Sequence, residues 1–172
     1  HNTAMNMIAD ILMYLDRGYS ECQSRPAIFA VTIGLFRDHI LWASLAAQDT
    51  KCRVFEIFNA TILDQINMER EGDAIDKALL HSCTTMLESL YRTDEENEDE
   101  KLYFEEFEPA FLTSSRTFYS KECDRLLANG DAAAWLRHTQ RRLNEETARC
   151  ATTISRSTLP GILQVVEDEL IR

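Results

Sequence analysis

The chain has 172 residues, a length that suits one domain or a segment of a longer protein, and its 45% hydrophobic content excludes a disordered or low-complexity polymer. A net charge of −11 sets the chain as a whole against phosphate-rich partners, so nucleic acid and anionic membrane are poor candidates. Five glycines and three prolines are few breakers, and long helices are expected.

The first helix, near the start, carries two apolar stripes. Met5, Ile8, Leu12, Leu15 and Tyr19 recur at spacings of three and four, as a core-facing helix requires. Met7, Ile11 and Tyr14 lie about 100° round from them, with Met13 and Arg17 flanking Tyr14. Gly18 and the polar residues after it mark a break, and Pro26 suits the first turn of a second, strongly apolar helix running from Ile28 to Trp42. Residues 43–51 read as a polar interruption with Asp49 or Thr50 as the next N-cap.

Helix three carries Val54, Phe55, Phe58, Ile62, Leu63 and Ile66 and stops at Gly72. Asp73 is then expected to cap helix four, whose apolar set is Ile75, Leu79, Leu80, Cys83, Met86, Leu87 and Leu90. The acid-rich run TDEENEDEK, residues 93–101, cannot be buried and reads as a loop. A long fifth helix, from about Leu102 to Leu127, contains Pro109, which should kink it or begin its first turn afresh. Asn129 and Gly130 stop it, Asp131 caps helix six, and STLPG at 157–161 precedes a last helix with Ile162, Leu163, Val166, Leu170 and Ile171. No strand-like alternation stands out, so the fold is expected to be all-α, a bundle of long antiparallel helices.

No catalytic or metal-binding constellation assembles from the sequence. His81 and Cys83 are two apart and point to different helix faces, while His39 and His138 are isolated. Ser114, Ser115, Tyr119 and Lys121 lack a neighbouring base or oxyanion donor. The cluster Arg137, Arg141 and Arg142 is answered by Glu145 and Glu146 at helical spacing, and exposed intrahelical pairs explain it. Cys22, Cys52, Cys83, Cys123 and Cys150 form no Cys-x-x-Cys pair and read as reduced thiols, mostly in the core. No cofactor and no metal is called for. With no membrane-length apolar run and no secretory leader pattern, the chain reads as soluble and intracellular. It starts without Met and ends on an apolar helix, as if cut from something longer.

On the first helix, Asp10, Met13, Tyr14 and Arg17 share a face. It either packs on a further helix of the same protein or meets a partner, for which Tyr and Arg are the favoured anchors. Spacing alone does not decide between the two.

Four segments resemble the cullin family, and they occur in its order. FEPAFLTSSRTFYSKECDRLL (107–127) is similar to the most distinctive helix of the cullin repeat, and WLRHTQRRLNEETARC (135–150) to the helix after it. INMEREGDAIDKALL (66–80) resembles the acid-Arg-x-x-Gly turn between two cullin helices. The opening HNTAMNMIADILMYLDRGY is similar to the last helix of the first repeat and looks most like the cullin-3 branch. The resemblance implies stacked five-helix cullin repeats, with residues 1–20 as the last helix of repeat one, 21–155 as repeat two and 156–172 as the first helix of repeat three. It implies a non-catalytic scaffold of a cullin-RING ubiquitin ligase, acting in cytoplasm and nucleus, whose first repeat binds a BTB-domain adaptor. Tyr14 and Arg17 match the adaptor-facing positions of the family, with Asp10 and Met13 as weaker neighbours. A cullin-4-type scaffold with a β-propeller adaptor, or a generic helical interaction domain, stands as the alternative. Residues 41–52 and the acidic run at 94–100 look longer than the family pattern, and the RING-binding region and the neddylation lysine are not in this segment.

Overall fold

The computed structural model describes residues 2–15, 28–47, 50–92, 100–128 and 131–171. Seven α-helices lie among them: α1 (Asn2–Leu15), α2 (Ile28–Phe36), α3 (Val54–Glu71), α4 (Lys77–Ser89), α5 (Glu108–Leu127), α6 (Ala132–Thr152) and α7 (Leu159–Leu170). The chain divides into two compact units, His1–Phe58 and Asn59–Arg172, and the division falls within α3.

In the first unit α1 touches α2, which runs into a π-helical turn, Arg37–Leu41. There the Trp42 amide donates five residues back to the Arg37 carbonyl, at 3.0 Å. The segment read as a mere polar interruption is a small hairpin, β1 (Ser44–Ala47) and β2 (Thr50–Arg53), paired antiparallel from Ser44 with Arg53 to Ala47 with Thr50. Strand residues are thus present where none were expected, and Thr50 belongs to β2 rather than to a helix cap; Asp49 lies outside the described residues. The start of α3 is closed differently. Glu56, in its first turn, reaches back to accept from the Arg53 amide at 3.1 Å, the returning half of a capping box. Trp42 packs on Phe55 with ring centroids 5.3 Å apart, and the Arg53 guanidinium lies 5.3 Å over the same indole.

The second unit holds most of the buried core. At the end of α3 the amide of Gly72 bonds the Glu69 carbonyl and that of Asp73 bonds the Met68 carbonyl, both at 3.0 Å. This doubled closure needs a left-handed residue, and Gly72 has φ of 105°. Asp73 is spent in that turn, so the cap of α4 is Asp76, whose carboxylate accepts from the Leu79 amide at 2.9 Å. The acidic run at 93–99 lies outside the described residues, but its flanks meet. The Leu102 amide donates to Leu90, the Arg92 amide to Glu100, both at 2.8 Å, and Tyr91 bridges Lys101.

A π-helical turn, Tyr103–Phe107, then leads into α5, with Pro109 in its first turn. Proline has no amide to donate back into the preceding turn, so a fresh helical start there is what its chemistry favours. Tyr103, Phe107 and Phe111 form a fully buried ladder with centroids 5.2 and 6.1 Å apart. The Tyr103 hydroxyl is satisfied by Thr158 at 2.7 Å and by the Ser155 amide at 3.2 Å, in the turn before α7. α7 packs on both α5 and α6 through Ile162, Val165, Val166 and Leu170. A side chain at Gly161 would stand 3.3 Å from the Leu112 methyl, so glycine keeps α5 and α7 close.

Asp131 caps α6 as expected, accepting from the amides of Ala133 and Ala134 at 2.9 and 3.0 Å. Trp135 is half-buried and donates its indole N–H to the Leu170 carbonyl at 2.6 Å. Leu136 is 69% exposed, and Leu79 and Ile171, apolar positions of their helices, are exposed in large part as well. Phe111→Ala should therefore cost about 3 to 5 kcal/mol, because its site is sealed on all sides, while Leu136→Ala should stay within about 0.5 kcal/mol. Urea unfolding of both variants measures the contrast.

Candidate protein-interaction surface

α1 is an apolar helix that stays largely exposed among the described residues. Met7 is 61% exposed, Ile11 59%, Met13 50%, Leu15 43% and Tyr14 80%. Asp10 is exposed on the same side, one turn before Met13 and Tyr14. The structure thus brings three of the four predicted residues onto one open face; Arg17 lies outside the described residues. The division into stripes is only partly kept. Leu12 is half-buried, but Leu15, expected in the core stripe, is open. On α2, Val31 and Leu35 are also exposed and lie four apart, on one face. They were missed because α2 is apolar all round, and such a sequence does not declare which side is covered. Water-exposed apolar side chains in this density mark a face that packs on something, whether a partner or a further part of the same protein, rather than a centre of chemistry.

The buried polar residues of the second unit are structural. Glu146 on α6 is fully buried, and its Oε1 accepts from the Arg70 Nε of α3 at 3.0 Å, from the Tyr119 hydroxyl of α5 and from an Arg149 NH group of its own helix. Arg70 also donates to Ser115 at 2.7 Å and to Asn67 at 3.1 Å. Arg149 reaches back to Glu69 at 2.8 Å, which holds Lys77 as well. Beside this cluster, Arg142 is buried and donates to Glu122 of α5, to Glu145 and to the Arg70 carbonyl. The expectation of exposed intrahelical pairs holds for Arg141 with Glu145, 3.5 Å apart, and is corrected for Arg142 and Glu146. Arg142 and Glu146 face inward, and their main partners come from other helices.

The electrostatics follow from that geometry. Burial works to raise the Glu146 carboxyl, but Arg70 and Arg149 outweigh it and hold it at about 2. Glu122 and Glu69 also sit below the ordinary carboxylate range, since their arginine, histidine and lysine contacts outweigh burial. Burial, aided by the Glu146 charge, pushes the Tyr119 hydroxyl well up and the Cys150 thiol to about 12. Neither is a nucleophile at neutral pH. Ser115 accepts from Arg70, a guanidinium that stays protonated and cannot take up a proton, and Ser114 accepts from Asn67 at 3.3 Å, so neither is bonded to a base among the described residues. His138 stands 3.2 Å from Glu122 and against Arg141, while His81 is exposed. Cys52 and Cys83 are half-buried, Cys123 and Cys150 buried; Cys22 lies outside the described residues. Among the described residues no group of three His, Cys, Asp or Glu side chains could hold a metal ion, and no helix is long and apolar enough to cross a membrane.

A carboxyl near 2 in the folded chain and near 4.5 when unfolded contributes stability above pH 4.5 that fades as the pH falls toward 2. The size is about 3 kcal/mol for Glu146. Glu146→Gln should flatten that part of the acid-unfolding curve and, at neutral pH, cost about 3 to 5 kcal/mol, because two buried guanidinium groups lose a shared counter-charge. Urea midpoints measured from pH 7 to pH 2.5 on both proteins test this.

The family model of the cullin alpha solenoid domain matches residues 1–172. The chain is 33% identical over 171 residues to Cullin-3A of Arabidopsis thaliana, covering 99% of this chain and 21% of that protein. It is 32% identical over 171 residues to Cullin-3 of Schizosaccharomyces pombe, 99% and 20%, and 31% identical over 172 residues to Cullin-4A of Mus musculus, again 99% and 20%. The chain thus spans about a fifth of the length of these relatives. With its whole length matched and its helices in the expected order, the chain belongs to the cullin family.

Proposed function

We propose that this chain is part of the scaffold of a cullin-RING ubiquitin ligase and that Asp10, Met13 and Tyr14 of its α1 face, together with Arg17, contact a BTB-domain substrate adaptor. The observation that carries the reading is the 80% exposure of Tyr14 among exposed methionines and isoleucine on one helix. Tyrosine offers rigid area with a polar tip, and arginine a forked donor, the pair that most often anchors interfaces. In this reading residues 1–20 end repeat one, 21–155 form repeat two as a stiff spacer, and 156–172 open repeat three. The spacer performs no chemistry; it raises the rate of ubiquitin transfer by positioning substrate relative to a conjugating enzyme, in cytoplasm and nucleus. Similarity to Cullin-4A supports a second reading, in which the same scaffold takes a β-propeller adaptor.

Adaptor capture by the full-length protein separates them. Tyr14→Ala with Arg17→Glu should weaken BTB binding at least about 30-fold, the equivalent of losing one anchor worth roughly 2 kcal/mol. The thermal midpoint should not move, since Tyr14 supports little packing. Equal loss of stability and binding would return the face to internal packing, and retention of a propeller adaptor with no BTB binding would favour the second reading.

A further inference from the structure

Within the second unit, α3, α5 and α6 leave two adjoining depressions that share Glu71, Phe118, Glu122 and Arg125 as lining. Along α5 the combined groove runs from Ser114 to Arg125, about 16 Å at helical rise, which is the length of about five extended residues. Its middle is the half-buried Phe118 ring, backed by the Arg70 and Arg142 guanidinium groups at 5.3 and 5.6 Å. Those two cations are consumed by Glu146 and Glu122. Lys121 and Arg125 are different. Both are exposed, both line the groove, and neither pairs with a carboxylate among the described residues.

We propose that this groove docks an extended acidic peptide segment of a partner protein. Lys121 and Arg125 are four residues apart on one helix face, hence about 6 Å along its axis. Side chains two apart on an extended peptide point the same way at about 6.6 Å, so an acid-x-acid segment laid along α5 presents successive carboxylates to the two cations. Phe118, about one turn before Lys121, supplies an apolar step for the residue that flanks the acid-x-acid segment. A lone phosphate uses only a fraction of a trough this long, which favours a peptide over a small anion.

The opposing effects are the exposed Glu71 on the rim, the lining residues Glu69, Glu122 and Glu145, each paired with a lysine or arginine, and the overall charge of −11. Charges farther off than about 8 Å are largely screened at physiological salt, whereas paired carboxylates sit within about 4 Å, so the local cations prevail but the affinity is modest. This site is independent of the α1 face and of the adaptor it takes.

Fluorescence anisotropy on the full-length protein tests the proposal, with a labelled six-residue peptide of alternating Glu and Ala as probe and a Gln-Ala peptide of equal length as comparison. The acidic probe should bind, the neutral one should not, and Lys121→Gln with Arg125→Gln should weaken binding at least fivefold. Arg116→Gln with Arg156→Gln, which removes the same charge from exposed positions that do not line the groove, should leave binding within twofold. Equal weakening by both double variants, equal binding of both peptides, or full displacement of the probe by millimolar inorganic phosphate would overturn it, the last in favour of a small-anion site.

Discussion

One carboxylate oxygen organises the second unit. Glu146 Oε1 receives donors from α3, α5 and α6 at once, through Arg70, Tyr119 and Arg149. A charge buried this deeply is tolerated only where cations answer it, and here the answer falls on Oε1, one atom that fixes three helices, while Oε2 makes no hydrogen bond among the described residues. A slip of α3 by one residue would carry Arg70 about 1.5 Å along its axis and about 100° round it, and no other residue of α3 is set to replace it. Hydrophobic contacts between these helices would survive many such slips, since Leu and Ile fit several neighbours. The ionic clamp therefore contributes uniqueness of register more than net stability.

The same clamp explains what was hard to read beforehand. On α6 the buried positions are Thr139, Arg142, Glu146, Arg149 and Cys150, and the first four are spaced three and four apart like an apolar stripe but filled with polar groups. A pattern reader following Leu136 and Leu143 chooses the wrong face, because burial normally tracks hydrophobicity and here it tracks pairing partners that lie some 20 to 80 residues away. The signal was present in the spacing of the polar residues, yet without the partner helices it is identical to that of exposed i,i+3 and i,i+4 pairs.

Elements closed by local chemistry were legible. Gly72 and Asp131 act on backbone groups within five residues of themselves, so their roles follow from their own neighbourhood. Pro109 likewise marks a helical restart through its missing amide. The exceptions are instructive. Asp73 and Asp76 are both good caps, and only the demand of the Gly72 turn for the Asp73 amide leaves the second to begin α4. The β1–β2 hairpin escaped because Ala, Gln and Asp give no alternation. Its pairing is sustained by the backbone and by the Trp42, Arg53 and Phe55 stack beside it.

The α1 face was legible in composition and not in assignment. Helical spacing grouped Asp10, Met13, Tyr14 and Arg17, and exposure of the described three agrees with that grouping, but exposure cannot tell a partner's surface from a helix covered by the remaining four-fifths of a protein of the relatives' length. The discriminating physics lies in composition within the face. Met7 and Ile11 are plain apolar groups that any packed neighbour would satisfy, whereas Tyr14, with Asp10 one turn away, carries polar atoms that a dry helix interface would have to pair. A wet, reversible contact imposes no such demand, because water can complete the pairing at its rim. On that ground the proposed reading gives internal packing to Met7 and Ile11 and the exchangeable partner to Tyr14.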